Sequence, residues 1–144
     1  MADGIPRADP RTASAGGWLL LLSRLLVVFH PLSLAVTASS ALGALSSRGV
    51  AVGLILLLRL IVVGFGMAAG RALQQLQPGA VTLARAALLA SAATDVFVYT
   101  TPFFPNNRPP GDTIYYVAAS LAYHGAWLAY LARSKRVRAI SAQG

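Results

Sequence analysis

Four side chains that can carry a charge or transfer a proton lie inside long apolar stretches of this chain: Arg59, Asp95, His30 and His124. A charge at the centre of a membrane-spanning helix costs about 2.5 to 3.5 kcal/mol on insertion scales, so each such residue requires a reason. If Arg59 and Asp95 meet, they neutralise each other and lock two helices together. The two histidines at similar depth allow another interpretation, in which all four residues form a proton or ion relay.

The sequence carries no motif of a known catalytic, cofactor or metal site. It has no Cys and no Glu, and its two histidines are too far apart for an H-E-x-x-H zinc site. There is no G-x-S-x-G nucleophile elbow. The glycine-rich segment 64–70 lacks the strand and the Lys of a phosphate loop. We therefore predict that the protein is not an enzyme and binds no cofactor or metal.

Helices must position these residues, because apolar stretches fill most of the 144 residues. About 20 residues at 1.5 Å each cross a hydrocarbon core of about 30 Å. The predicted fold is all-α, an integral membrane four-helix bundle. Its helices are expected at about 17–42, 50–69, 80–99 and 113–132.

Three parts follow from this division of the chain. Residues 1–16 are predicted to be a disordered cytoplasmic leader, 17–132 the membrane domain, and 133–144 a basic cytoplasmic tail. The first apolar stretch also resembles a signal peptide, although Arg24 and Pro31 argue against cleavage.

Composition favours a membrane protein over a soluble one. Hydrophobic residues make up 56% of the chain and charged residues 11%, whereas soluble domains average roughly 25% charged. A soluble helical protein would need polar helix faces, yet 50–69 carries one charge, Arg59. The formal charge of +8 follows from loop asymmetry, so we predict no nucleic-acid partner.

The basic residues near the ends of the stretches predict the orientation. Two lie in the first and third loops, Arg48 and Arg108. Cytoplasmic segments carry an excess of Lys and Arg, so both termini are expected in the cytoplasm. Seven lie in the leader, the second loop and the tail: Arg7, Arg11, Arg71, Arg133, Lys135, Arg136 and Arg138.

The first stretch is longer than one span requires, so its helix either tilts or ends near Ser39. Pro31 is expected to kink it one turn earlier, and 46–49 is expected to form a tight turn. Small residues predict close packing inside the bundle rather than a dimer interface. They are the pair Gly66 and Gly70 and the stripe Ala118, Ala122 and Ala126.

Basic residues outside the centre of the spans are expected to contact lipid. Arg24 and Arg85 lie near cytoplasmic ends and can extend to the headgroups. A lipid-facing basic tail is worth about 1 kcal/mol per charge against an anionic leaflet. It comprises Arg133, Lys135, Arg136 and Arg138.

Two segments carry a resemblance to a known family. Residues 16–21 (GGWLLL) followed by Pro31-Leu32, and the ending 127–138 (WLAYLARSKRVR), resemble the opening and closing signatures of the domain-of-unknown-function 2569 family of small bacterial inner-membrane proteins. The acidic Asp95 is also similar to that family's pattern, whereas Ala129 replaces its usual Pro. The resemblance implies four predicted helices in the inner membrane and no established activity.

These observations predict a multi-pass protein of the bacterial inner membrane that acts as a non-catalytic structural or accessory component. The alternative is a small proton- or ion-coupled transporter that acts as a homo-oligomer. The expected partners are the lipid bilayer and either another membrane protein or further copies of this chain.

Overall fold

Helices form almost all of the structure in a computed structural model that describes residues 17–102, 111–135 and 137–138. No strand is present within these ranges. The predicted leader, most of the Pro-rich third loop and Arg136 lie outside the described residues. The helices are α1 (Trp18–Arg24), a π-helical turn (Leu25–Phe29), α2 (His30–Arg48), α3 (Val50–Gln74), α4 (Ala80–Thr100) and α5 (Thr113–Arg133).

Within the described part of the chain, three helices are long and apolar enough to cross a membrane: Trp18–Gly43, Val50–Gln74 and Ala80–Thr100. The membrane character of the fold therefore agrees with the prediction at this coarser level. The helix α5 is not among the three. It has the length of a span but carries His124, Ser120 and several tyrosines, which lower its hydropathy.

The first three elements form one continuous helical rod, which we call the first rod. Pro31 cannot donate a backbone hydrogen bond, and its ring crowds the preceding turn. The chain widens into the π-helical turn immediately before it. A π-helical turn thus occupies the place where a kink was predicted, and the kink itself stays a prediction.

The first rod does not end near Ser39, so that alternative was wrong. It continues to Arg48, and the turn expected over 46–49 reduces to Gly49. Gly49 has a φ of +67°, a conformation that L side chains rarely adopt. The small, Ala-rich sequence before Gly49 supports a helix although it is only weakly apolar.

Two apolar cores hold the helices together at opposite ends. The larger joins α1, the end of α3, the start of α4 and the end of α5, and includes Leu19, Leu73, Leu88 and Leu131. The smaller joins α2, the start of α3 and the end of α4, and comprises Ala41, Val52, Ile55 and Val98. The polar residues singled out in the sequence lie between these two cores.

Gly66 and Gly70 pack α3 against the first rod, as predicted for an internal contact. A Cβ atom on Gly70 would lie 2.9 Å from the Ser23 carbonyl oxygen and 2.7 Å from a Val27 methyl carbon. The Ala stripe of α5 behaves differently, and its predicted internal packing was wrong. Its members are exposed: Ala118, Ala122 and Ala126.

Candidate functional site

A cavity of about 260 Å³, with polar and apolar side chains in its wall, lies between the two apolar cores. It is enclosed by the first rod, α3, α4 and α5, and all four residues proposed for an intramembrane polar network line it. These are His30 on α2, Arg59 on α3, Asp95 on α4 and His124 on α5. The fold thus brings side chains from distant parts of the sequence to one depth.

Arg59 and Asp95 form an ion pair between α3 and α4. A guanidinium nitrogen of Arg59 donates to Asp95 Oδ1 at 2.9 Å. The side chains are 16% and 21% exposed, so the pair is largely removed from the surroundings. Two isolated charges at this depth would be costly, and the pairing reduces that cost.

Asp95 also binds α5 through its second carboxylate oxygen. The hydroxyl of Ser120 donates to Asp95 Oδ2 at 2.9 Å. The carboxylate therefore joins three helices. Ser120 was not predicted, although it lies one helical turn before His124 and hence on the same face of α5.

His124 extends this chain of hydrogen bonds. Its Nδ1 lies 2.8 Å from the Ser120 carbonyl oxygen and 3.3 Å from the Ser120 hydroxyl oxygen. A carbonyl oxygen can only accept, so Nδ1 carries the hydrogen and donates it. The Ser120 hydroxyl, which lies 3.3 Å from the same Nδ1, donates to Asp95 Oδ2, so His124, Ser120 and Asp95 form one polar cluster.

His30 approaches the same cluster from the first rod. Its ring centroid lies 6.4 Å from that of His124 and 6.3 Å from that of Tyr123. The two histidine rings are therefore neighbours across the cavity. A water or another bound molecule between them would hydrogen-bond to both rings.

Two buried polar atoms of residues that line the cavity, Ser91 Oγ and His124 Nε2, have no hydrogen-bond partner among the described residues. The buried hydroxyl of Tyr123 interacts with Trp127. Buried polar atoms are nearly always hydrogen-bonded in native proteins. The cavity therefore presents unused hydrogen-bonding capacity, which the sequence alone did not reveal.

The geometry shows no metal centre in the part of the chain that the structure describes. No group of three or more His, Cys, Asp or Glu side chains is close enough to hold an ion. Asp95, the acidic residue of the cluster, already accepts from Arg59 and Ser120. The site is suited to hydrogen bonding and proton transfer.

The two arginines that were expected to extend to the headgroups, Arg24 and Arg85, differ in their contacts. Arg24 is exposed, and its extension to the headgroups stays a prediction. Arg85 instead donates to the Leu131 carbonyl oxygen at 2.8 Å and thereby caps the last turn of α5. This contact was not predicted.

The tail is partly folded against the larger core. Arg133, Lys135 and Arg138 are exposed, Arg136 lies outside the described residues, and contact of the tail with lipid stays a prediction. Val137, in contrast, is fully buried and belongs to the larger core. The tail therefore contributes a buried apolar side chain to the larger core as well as positive charges.

Comparison with known proteins adds no relative to this geometry. No model of a known protein family, no curated protein and no solved structure matches this chain.

Proposed function

We propose that the protein is a multi-pass protein of the bacterial inner membrane, with α5 as a fourth span and both termini in the cytoplasm. The surfaces that face outward are strongly apolar, and Ile61 of α3 and Ile114 of α5 are among the most exposed side chains. A helix of the length of α5 spans about 30 Å. The seven-to-two distribution of basic residues supports the orientation.

The resemblance of residues 16–21 and 127–138 to the domain-of-unknown-function 2569 family supports the same location. We include membership of that family in the proposal. It brings no activity with it.

Within this membrane, the protein acts as a non-catalytic structural or accessory component. The observation that carries this role is the bonding of Asp95 to both Arg59 and Ser120, which joins α3, α4 and α5. The two charged side chains of the cavity wall, Arg59 and Asp95, are thus engaged in holding helices together. The result is a rigid unit with a wide apolar surface for other membrane proteins.

Purification from native membranes in mild detergent tests this role. We expect a membrane protein to co-purify in stoichiometric amount with a tagged full-length chain. Asp95→Leu should release it, because the helix arrangement that presents the surface is lost. The exposed and unpaired control Thr82→Ala should retain it, and recovery of the chain alone in every case would contradict the role.

A second candidate function is a small proton- or ion-coupled transporter that acts as a homo-oligomer. The close approach of His124 Nδ1 to the Ser120 hydroxyl, which donates to Asp95, favours it. A proton that binds His124 Nε2 lets Nδ1 release its proton to Ser120 Oγ, which passes its own hydrogen to Asp95 Oδ2. Asp95 then becomes neutral and Arg59 loses its counter-charge, so proton arrival alters the contact between α3 and α4.

Proton flux into liposomes distinguishes this candidate from the first. Ser120→Ala removes the middle of the chain and should abolish flux, whereas Ser120→Thr keeps the hydroxyl and should preserve most of it. Asp95→Asn should also abolish flux. Equal flux through the Ala and Thr variants, or none through the unchanged protein, would exclude a relay along these residues.

A further inference from the structure

His124 offers a buried hydrogen-bond acceptor that the rest of the described chain does not use. Because its Nδ1 donates to the Ser120 carbonyl oxygen, Nε2 holds a lone pair in the neutral ring. The residue is only 4% exposed, and Nε2 has no partner within the described ranges. Since His124 lines the cavity, a donor located there would satisfy this atom.

The hydroxyl groups of Ser91 and Tyr123 add to this hydrogen-bonding capacity of the cavity wall. Thr94 on α4 donates to the Ala90 carbonyl oxygen at 2.8 Å, which is a common way for a helical hydroxyl to be satisfied. Ser91, one turn earlier, lines the same cavity and has no partner among the described residues. The hydroxyl of Tyr123, which also lines the cavity, interacts with Trp127. Both groups can donate or accept.

The remaining walls define the body of a ligand. Arg59 and Asp95 pair with each other, so the cavity favours no net charge in its occupant. Its apolar lining combines the rings of Phe29 and Tyr116 with the aliphatic side chain of Val62. A cavity of about 150 Å³ accommodates benzene, so about 260 Å³ accommodates one or two rings.

The opening of the cavity indicates where such a ligand comes from. Phe29 on the first rod and Tyr116 on α5 line the cavity and are 55% and 41% exposed, which places both at its mouth. Leu32, about one helical turn after Phe29 on the first rod, is an exposed apolar side chain as well. A molecule would therefore arrive sideways, from the apolar phase that surrounds the helices.

We infer that the cavity is a binding site for a small, neutral aromatic alcohol drawn from the membrane. Its hydroxyl donates to His124 Nε2, its rings lie against Phe29 and Tyr116, and the hydroxyls of Ser91 and Tyr123 serve any further polar atom. This site does not depend on either proposed function, because it requires neither a protein partner nor proton flux.

The test uses the full-length chain in lipid nanodiscs and two matched probes. The first, 2-naphthol, has a hydroxyl donor, while 2-methoxynaphthalene has the same rings and no donor. Quenching of tryptophan fluorescence is measured against empty nanodiscs, because both probes also partition into lipid. We expect 2-naphthol to saturate the site and to bind about tenfold more tightly than the ether, as one hydrogen bond predicts.

Variants locate the effect at His124. His124→Phe keeps a ring but removes the acceptor, so the two probes should bind it with similar affinity. His124→Gln restores an acceptor and should restore part of the difference, while Tyr115→Phe, which does not line the cavity, should change nothing. Equal binding of both probes to the unchanged chain would overturn the inference. Partitioning without saturation, as for a cavity that holds water only, would overturn it as well.

Discussion

The guanidinium of Arg59 lies 2.9 Å from a carboxylate oxygen of Asp95, and this contact joins α3 to α4 between two apolar cores. Both side chains are largely buried, so neither charge is well solvated. Removal of one partner leaves the other charge uncompensated in a medium of low dielectric constant. Substitution of these two residues is therefore a direct test of how the helices are arranged.

We expect Arg59→Leu or Asp95→Leu alone to lower the free energy of unfolding by about 3 to 5 kcal/mol. The double variant should lose much less than the sum, because no unpaired charge remains. Unfolding of the purified protein in mixed detergent micelles measures the cycle. Additive losses would show that the two side chains do not interact in the native protein.

The close contact of α3 with the first rod gives a second prediction. A Cβ on Gly70 would meet the Ser23 carbonyl oxygen at 2.9 Å, and this backbone atom cannot move away cheaply. Gly70→Ala should therefore destabilise the protein by about 1 to 3 kcal/mol, as overpacking does.

Gly66→Ala is the matched control on the same helix. Its Cβ would lie 3.7 Å and 3.8 Å from side-chain atoms of Leu26 and His30, which is ordinary contact. Because Ala favours a helix over Gly by about 1 kcal/mol, this variant should be neutral or slightly stabilising. Equal losses at both positions, measured by the same unfolding assay, would contradict the observed packing.

Depth in the apolar stretches was enough to single out four residues that line the cavity, the two charged residues and the two histidines. Arg59 and Asp95 are costly where they lie, so their meeting could be anticipated from sequence. His30 and His124 were placed at a similar depth by the same counting. The sequence did not show which faces of the helices carry these side chains. Those faces determine which side chains form hydrogen bonds with each other.

Other features of the structure had only a weak signal in the sequence, or no signal at all. Ser120 is one of many serines, and only its spacing from His124 sets it apart. The contact of Arg85 with the Leu131 carbonyl oxygen depends on the relative height of α4 and α5, which local sequence does not specify. The continuation of the first rod to Arg48 depends on small residues that are compatible with either a helix or a loop.

The orientation gives a third prediction, tested by cysteine labelling on a chain that has no natural Cys. Lys135→Cys and Gln77→Cys replace exposed residues that are expected on the cytoplasmic side, and Thr113→Cys replaces one expected outside. An impermeant thiol reagent added to intact cells should modify only the Thr113 variant. Permeabilised cells supply the control, since all three should then react, and labelling of the Lys135 variant from outside would invert the assignment.

The tail gives the last prediction, because the structure separates its charges from its one buried residue. If the basic residues acted only through charge, any rearrangement of 133–138 would be silent, and the sequence led to that expectation. Val137, however, is fully buried in the larger core, and its backbone nitrogen donates to Ser134 Oγ at 3.5 Å. Moving Val137 along the chain would remove it from the core.

Val137→Ala should therefore lower the free energy of unfolding by about 1 to 2 kcal/mol, given about 0.8 kcal/mol for each buried methylene-sized group and a further cost for the cavity left behind. The matched control exchanges charges without moving Val137: Lys135→Arg keeps the charge of an exposed side chain and should be neutral. Lys135→Gln should leave stability in detergent unchanged and weaken association of the tail with anionic lipid by about 1 kcal/mol. If Val137→Ala proves as silent as Lys135→Arg, the tail acts through charge alone and its packing against the core contributes nothing to stability.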